Sequence, residues 1–295
     1  MSYIPGLDVW SGYGDIDWKK VAAAGYRFVW AKCSVGNEPW QDDRAFERYV
    51  KGARDAGLAV GAYLFPFPLP TLKQGDGRSP IEQVERFAAK SKLLGSVAGE
   101  LSPMIDLEWP APQDWAKWGV TAESISEWGR EACEAIALLW QRLPVIYHYF
   151  WFEKAIGTAN DHWAGRYPLC MAAYTHPGPG VPPDGKSPPV PPPWTEWAAW
   201  QHSADGSPTR VPGVPVAPLD RQCIRDEATF RRLTGYRDHD PDAETAPQTV
   251  PSIPPKDGAR TITPWDIARG PVPLGRPALD GDLPDSDPEE PPSAA

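Results

Sequence analysis

The strongest constraint on the fold is an alternation of short apolar runs with stretches of helical spacing. Apolar and aromatic runs occupy residues 4–10, 26–33, 58–65, 102–110 and 144–150. Between and after them, residues 17–24, 42–56, 80–94, 121–142 and 152–164 carry helix signals. Asp17 and Thr121 stand where N-caps belong, Pro80 at a first turn, and Gly25 and Gly57 at stops. In the second of these helices Phe46, Tyr49, Val50 and Ala53 recur at i, i+3, i+4 and i+7, which makes one face apolar. After residue 164 the rhythm changes. Runs at 168–175, 195–202 and 219–224 read as strands without helices between them. A Pro-rich loop spans 177–193, and a closing helix covers 226–233. Five strand–helix units followed by three strands predict an α/β fold, an irregular (β/α)5(β)3 TIM-like barrel that is closed and mostly parallel. In such barrels functional side chains sit at the C-terminal ends of the strands.

One strand end carries chemistry. Residues 102–110 place Met104 and Ile105 between Pro103 and Pro110, followed by Asp106, Leu107, Glu108 and Trp109. Side chains two apart on a strand share a face, so Asp106 and Glu108 project together. Like charges that close push one pKa up while the other group stays ionised. Trp109 beside Glu108 disfavours ionisation there, which assigns the proton to Glu108 and the charge to Asp106. Glycoside hydrolysis uses that division between an acid and a charge-stabilising partner. For the tripeptide alone, a pair that caps a loop or binds a cation is the plainer alternative. Asp8 ends the first strand and Asp220 lies in the eighth. Barrel closure makes those strands neighbours and brings both carboxylates toward Asp106 and Glu108, unless each simply caps its own loop.

Composition narrows the function class. The net charge of −10 argues against a nucleic-acid partner held through phosphates. That charge is uneven: from Arg237 onward, twelve acidic residues face five basic ones. Residues 237–295 are rich in Pro, Asp, Gly and Ala, with Trp265 in the one stretch of apolar content. They read as a disordered or extended tail after a barrel of residues 1–236. A linker or docking segment with an unknown partner is the functional alternative. Cys33, Cys133, Cys170 and Cys223 show no C-x-x-C spacing, and His148, His176 and His202 show no metal-ligand spacing. Reduced, buried thiols are expected, with no metal and no cofactor. The first residues lack a basic segment followed by an apolar one, and no run is long enough for membrane insertion. The expectation is synthesis in the cytoplasm without a signal peptide, so that action outside requires release or delivery.

Several motifs, in order, resemble the family 25 glycoside hydrolases, the lysozymes of the Chalaropsis type. Gly6-Leu7-Asp8-Val9 and Gly14-Asp15-Ile16-Asp17-Trp18 are similar to the family's opening strand and turn. The run from Phe28 to Lys32, with Gly36 after it, resembles its second strand. Ala56-Gly57-Leu58 and Gly61-Ala62-Tyr63 resemble the third. Asp106-Leu107-Glu108 sits where the family has its catalytic D-x-E. Pro144 to Tyr147, Trp200-Gln201 and Leu219-Asp220 resemble the later strands. The resemblance covers about residues 4–235. Leu64 stands where the family often has His, Gln222 replaces an Asn, and the 177–193 loop is unusually proline-rich. These departures bear on substrate preference more than on the reaction.

The resemblance implies a muramidase that cuts the β-1,4 bond between N-acetylmuramic acid and N-acetylglucosamine in peptidoglycan glycan strands, as a phage-type lysin or a delivered effector. It implies Glu108 as general acid. Asp106 is then either the nucleophile or the group that orients the substrate's own 2-acetamido for attack, with Asp8 and Asp220 completing the pocket. Tyr63, Tyr147, Trp200, Lys32 and Trp109 are candidate substrate-binding residues, and Tyr149 and Trp151 are weaker ones. A wall-binding module of the same fold that does not cut, or a hydrolase of a chitin-like glycan, remain the alternatives.

The tail carries too little apolar content to join a core. A truncation ending at Tyr236 is therefore expected to keep the thermal transition and activity on soluble glycan fragments. A large drop in melting temperature on truncation would show that the tail packs on the barrel.

Overall fold

The computed structural model describes residues 3–36, 40, 42–72, 76–175, 182, 185–204, 211–216 and 219–235. The tail with Trp265, His176 and part of the 177–193 loop lie outside the described residues. Eight strands close a barrel in chain order: β1 (Ile4–Val9), β2 (Phe28–Val35), β3 (Ala59–Phe65), β4 (Met104–Asp106), β5 (Val145–Tyr149), β6 (Leu169–Ala172), β7 (Ala199–Ser203) and β8 (Arg221–Ile224). Pairing is parallel from β1 through β7. β8 runs antiparallel to both β7 and β1.

The helices lie where caps and periodicity place them. They are α1 (Trp18–Ala23), α2 (Phe46–Asp55), α3 (Pro80–Ser91), the single turn α4 (Trp115–Trp118), α5 (Ala122–Trp140), α6 (Phe150–Ile156) and α7 (Glu227–Leu233). Asp17, Ser79 and Asp226 accept the backbone N–H three residues on, and Thr121 and Ser124 form a reciprocal box at the start of α5. The fifth connection differs from the expected helix over 152–164. α6 begins at Phe150 and stops at Gly157, whose φ of 58° breaks the ladder. Short 3-10 turns follow. β7 is also shorter than the 195–202 run, because its pairing with β6 starts only at Ala199.

Strand alternation divides the apolar residues into two cores. Leu7, Val9, Val29, Leu64, Ile105 and Ile146 face outward and pack with Phe46, Tyr49, Phe87, Ile136 and Trp140 of the helices. Phe28, Trp30, Met104, Val145, Cys170 and Ile224 fill the barrel, closed at its N-terminal end by Phe230 and Leu233 of α7. Arg142 ties that end together by donating to the carbonyls of Gly95 (2.6 Å), Glu100 (2.9 Å) and Leu233 (2.5 Å). Inside the barrel Trp30 pairs in register with Gly61 and donates its indole N–H to Ser102 O at 2.9 Å.

A Cβ at residue 61 would stand 2.5 Å from Trp30 Cδ1 and 2.9 Å from Leu101 Cβ. Both neighbours are fully buried, and overpacking of this kind costs typically about 1–3 kcal/mol. Gly61→Ala should lower the unfolding free energy by that amount, seen as a lower denaturant midpoint with an unchanged slope. An unaltered midpoint would mean that the interior has slack at this layer.

Candidate active site

The inward residues above the Trp30 layer are polar. Asp8 from β1, Lys32 from β2, Asp106 ending β4, Tyr147 from β5 and Gln201 from β7 all follow the inward alternation. Asp220 directly precedes β8. Because β8 is reversed, its N-terminal end lies at the mouth where the parallel strands end. There the N–H of Asp8 donates to Asp220 O at 3.2 Å. Glu108 lies two residues beyond Asp106 and is half-buried.

Neutral donors hold the carboxylates. Gln201 Nε2 donates to Asp8 Oδ2 at 3.0 Å, and Gln222 Nε2 donates to the same oxygen. The Gln201 carbonyl oxygen accepts the hydroxyls of Tyr147 and Tyr174, each at 2.8 Å. Tyr13 donates to Asp220 Oδ2 at 2.8 Å. The Lys32 ammonium lies 5.0 Å from the Phe65 ring centre and 5.7 Å from that of Trp10. Trp109 packs against Phe67 and Trp118, with ring centroids 4.6 and 5.0 Å away, as an aromatic wall beside the acids.

Burial dominates the electrostatics. It pushes Asp8 up to about 6, against the lowering effect of the two glutamine amides, Asp220 and Lys32. Burial, then the charge of Glu108, raises Asp106 well above the carboxylate range, and Lys32 opposes this. One Asp106 oxygen, Oδ1, has no hydrogen-bond partner among the described residues. The phenols of Tyr13, Tyr63, Tyr147 and Tyr174 are raised well above their usual range by burial first, with the surrounding carboxylates adding to it and, at Tyr147, Tyr174 ahead of them. Among the described residues no group of three or more His, Cys, Asp or Glu is arranged to hold a metal ion. No helix there is long and apolar enough to cross a membrane.

The model of the family described as "Glycosyl hydrolases family 25" matches residues 7–211. The chain belongs to glycosyl hydrolase family 25. Solved structures agree in fold. A bacterial lysozyme from Streptomyces coelicolor is 25% identical at a TM-score of 0.63, covering 80% of this chain and 97% of its own. A family GH25 lysozyme from Aspergillus fumigatus is 21% identical at a TM-score of 0.59, over 79% of this chain and 99% of that one. The catalytic domain of an endolysin from bacteriophage P40 of Listeria monocytogenes is 15% identical at 0.55, over 79% and 98%. No curated protein matches.

Within this family 25 barrel the sequence-derived candidates separate. Asp8, Asp106, Glu108, Asp220, Tyr63, Tyr147 and Lys32 share one pocket, with Trp109 at its wall. Trp200 does not join them. It lies on the face of β7 opposite Gln201, is fully buried, and donates to Ala173 O at 2.8 Å between Trp197 and His202. The adjacent Gln201 takes the pocket position instead. Leu64 also faces outward into the helix layer, so its difference from the family pattern lies away from the groove. Asp106 is the more deeply buried of the two acids, and burial with the charge of Glu108 raises its pKa well above the carboxylate range. Trp151 is 55% exposed at the start of α6, under the Lys154 ammonium. Tyr149 is half-buried near Glu108. Sequence reasoning missed Tyr13, Tyr174 and the role of Gln222; strand alternation from Asp220 was the one signal that placed Gln222 inward.

A carboxyl with a raised folded pKa binds its proton more tightly in the folded state. The stability from Asp8 is therefore fully present below about pH 4 and lost as pH rises through about 6. The loss is roughly 3 kcal/mol at most by the same linkage. Asp8→Asn should flatten the stability profile between pH 4 and 7 and raise stability at pH 7, while kcat falls. Thermal unfolding of both proteins at pH 4, 5.5 and 7 checks this, and identical slopes would contradict it.

Proposed function

We propose that the chain is a muramidase that hydrolyses the β-1,4 bond between N-acetylmuramic acid and N-acetylglucosamine in bacterial peptidoglycan, acting at the cell wall. The observation that carries this reading is the set of four carboxylates at the barrel mouth, backed by neutral amides and hydroxyls and walled by Trp109, Phe67 and Trp118. A module that only holds glycan has no use for acids buried at such cost, and membership of a hydrolase family favours cutting.

Glu108 stands nearer solvent than Asp106 and is the general acid for the glycosidic oxygen. Asp106 is recessed, and its Oδ1 is buried without a hydrogen-bond partner among the described residues. In this reading the Asp106 carboxylate takes the substrate's 2-acetamido N–H. Hydrogen bonding to the ionised form lowers the Asp106 pKa, so substrate arrival transfers the shared proton toward Glu108. The acetamido carbonyl oxygen then attacks the anomeric carbon as the leaving oxygen takes the Glu108 proton. Asp106 accepts the increasingly acidic N–H, a task suited to a buried, basic carboxylate. Water afterwards opens the cyclic intermediate, with Glu108 as its base. Tyr63 and Tyr147 present hydroxyl and ring to the same centre.

Mass spectrometry of products from purified peptidoglycan should show reducing N-acetylmuramic acid ends. Cleavage of chitin oligosaccharides instead would transfer the activity to that polymer. Glu108→Gln cannot donate the proton and should lose about 10²–10⁴-fold in kcat. Asp106→Asn should be comparably severe, and a thiazoline mimic of the cyclic intermediate should inhibit. A covalent glycosyl adduct on Asp106 would replace this mechanism with direct nucleophilic attack.

A further inference from the structure

The two acids at the end of β4 are separated by Leu107, and its peptide groups are held unusually. β4 pairs with β5 only as far as Asp106, opposite Tyr147. Beyond that point the Leu107 N–H donates to Tyr147 O at 3.1 Å. The Leu107 carbonyl lies 2.7 Å from Nδ1 of His148, the next residue of β5. A carbonyl only accepts, so Nδ1 carries the hydrogen. His148 is fully buried on the outer face of the barrel, behind the pocket. Phe152 of α6 stacks on its ring at 5.6 Å, and Trp194 meets it edge-on at 6.0 Å.

We propose that His148 is a positioning residue for the Asp106–Glu108 pair: its Nδ1–H clamps the Leu107 carbonyl and so sets the direction of both carboxylates, with Glu153 of α6 fixing the imidazole from behind. This rests on the catalytic reading of that pair. Glu153 Oε2 lies 3.2 Å from His148 Nε2 without hydrogen-bond alignment, and 3.2 Å from Asn160 Nδ2. Glu153 is also buried, and its Oε1 has no partner among the described residues. Burial pushes Glu153 up to about 8 and His148 down to about 4, so at neutral pH both are uncharged. A neutral Glu153 beside the bare Nε2 offers it no competing charge, and the Leu107 carbonyl keeps the hydrogen on Nδ1. The other charge acting on Glu153 is Asp161, which reinforces its protonation. The arrangement costs no buried ion and leaves the Leu107 carbonyl paired.

Three variants and one spectrum test this. His148→Leu keeps apolar packing but removes the donor. It should lower kcat on soluble peptidoglycan fragments by about 10–10²-fold, since misplacement of reacting groups by about 1 Å costs up to that range, and leave KM within about twofold. Asn carries an N–H the same number of bonds from Cα as Nδ1, so His148→Asn should recover most of kcat although it leaves more empty space and melts lower than the Leu variant. Glu153→Gln supplies a neutral donor to Nε2. It should keep kcat and remove the stability loss that Glu153 causes as pH rises through about 8. Activity that simply follows melting temperature across the variants, or an Asn variant as slow as Leu, would overturn the proposal. Nitrogen NMR of the wild-type ring should show hydrogen on Nδ1 and a bare Nε2, and the opposite tautomer would overturn it whether or not the variants fold. A wild type inactive on every glycan would instead refute the catalytic reading, while the spectrum would still test the His148–Leu107 bond.

Discussion

β8 enters the sheet between β7 and β1 in the direction opposite to both, and the acidic pocket depends on that reversal. In an all-parallel barrel each strand delivers its last residue to the mouth. Here the eighth delivers its first. Asp220 and Gln222 therefore meet Asp8 across the seam, and Asp8 Oδ2 accepts from both Gln222 and, one strand further on, Gln201. The same reversal lets β7 lead into β8 without a crossover connection.

The second controlling feature is how the carboxylates are stabilised. Amides and phenols contact Asp8 and Asp220, and the Lys32 ammonium, which lies over aromatic rings, lowers the pKa values of Asp8 and Asp106. An arginine fork would hold these acids as permanent anions. The amides and Lys32 favour the ionised form of Asp8, but burial outweighs them, and at Asp106 burial and the charge of Glu108 outweigh Lys32, so both pKa values end up raised. The barrel thus keeps protons mobile in the range where a hydrolase uses them, at a cost in stability that the two large apolar cores offset.

Much of this was legible in the sequence where local rules act alone. Periodicity, caps at Asp17 and Thr121, and stops at Gly25 and Gly57 located the elements, and strand alternation placed Asp106 with Glu108. Closure then put Asp8 beside Asp220. The failures occur where a strand's phase or a tertiary neighbour decides. Trp200 and Gln201 are adjacent, and only the phase of β7 tells which one faces the pocket; an indole looks like a sugar platform but serves the outer wall. Trp109 is next to Glu108 in sequence, yet depth in the barrel, which no local pattern reports, determines that Asp106 is the more desolvated acid. His148 lacked metal spacing and was assigned nothing, because its partner Leu107 is brought to it by strand register, forty-one residues away.

The downward run of β8 has a topological consequence at the other end of the molecule. The chain passes through the plug made by α7, with Ser102 and Gly99 donating to the carbonyls of Leu233 and Thr234, and leaves at Gly235 on the face opposite the mouth. Whatever is joined beyond that point departs from the end of the barrel opposite the carboxylates, so the point of attachment lies on the far side of the molecule from the candidate site.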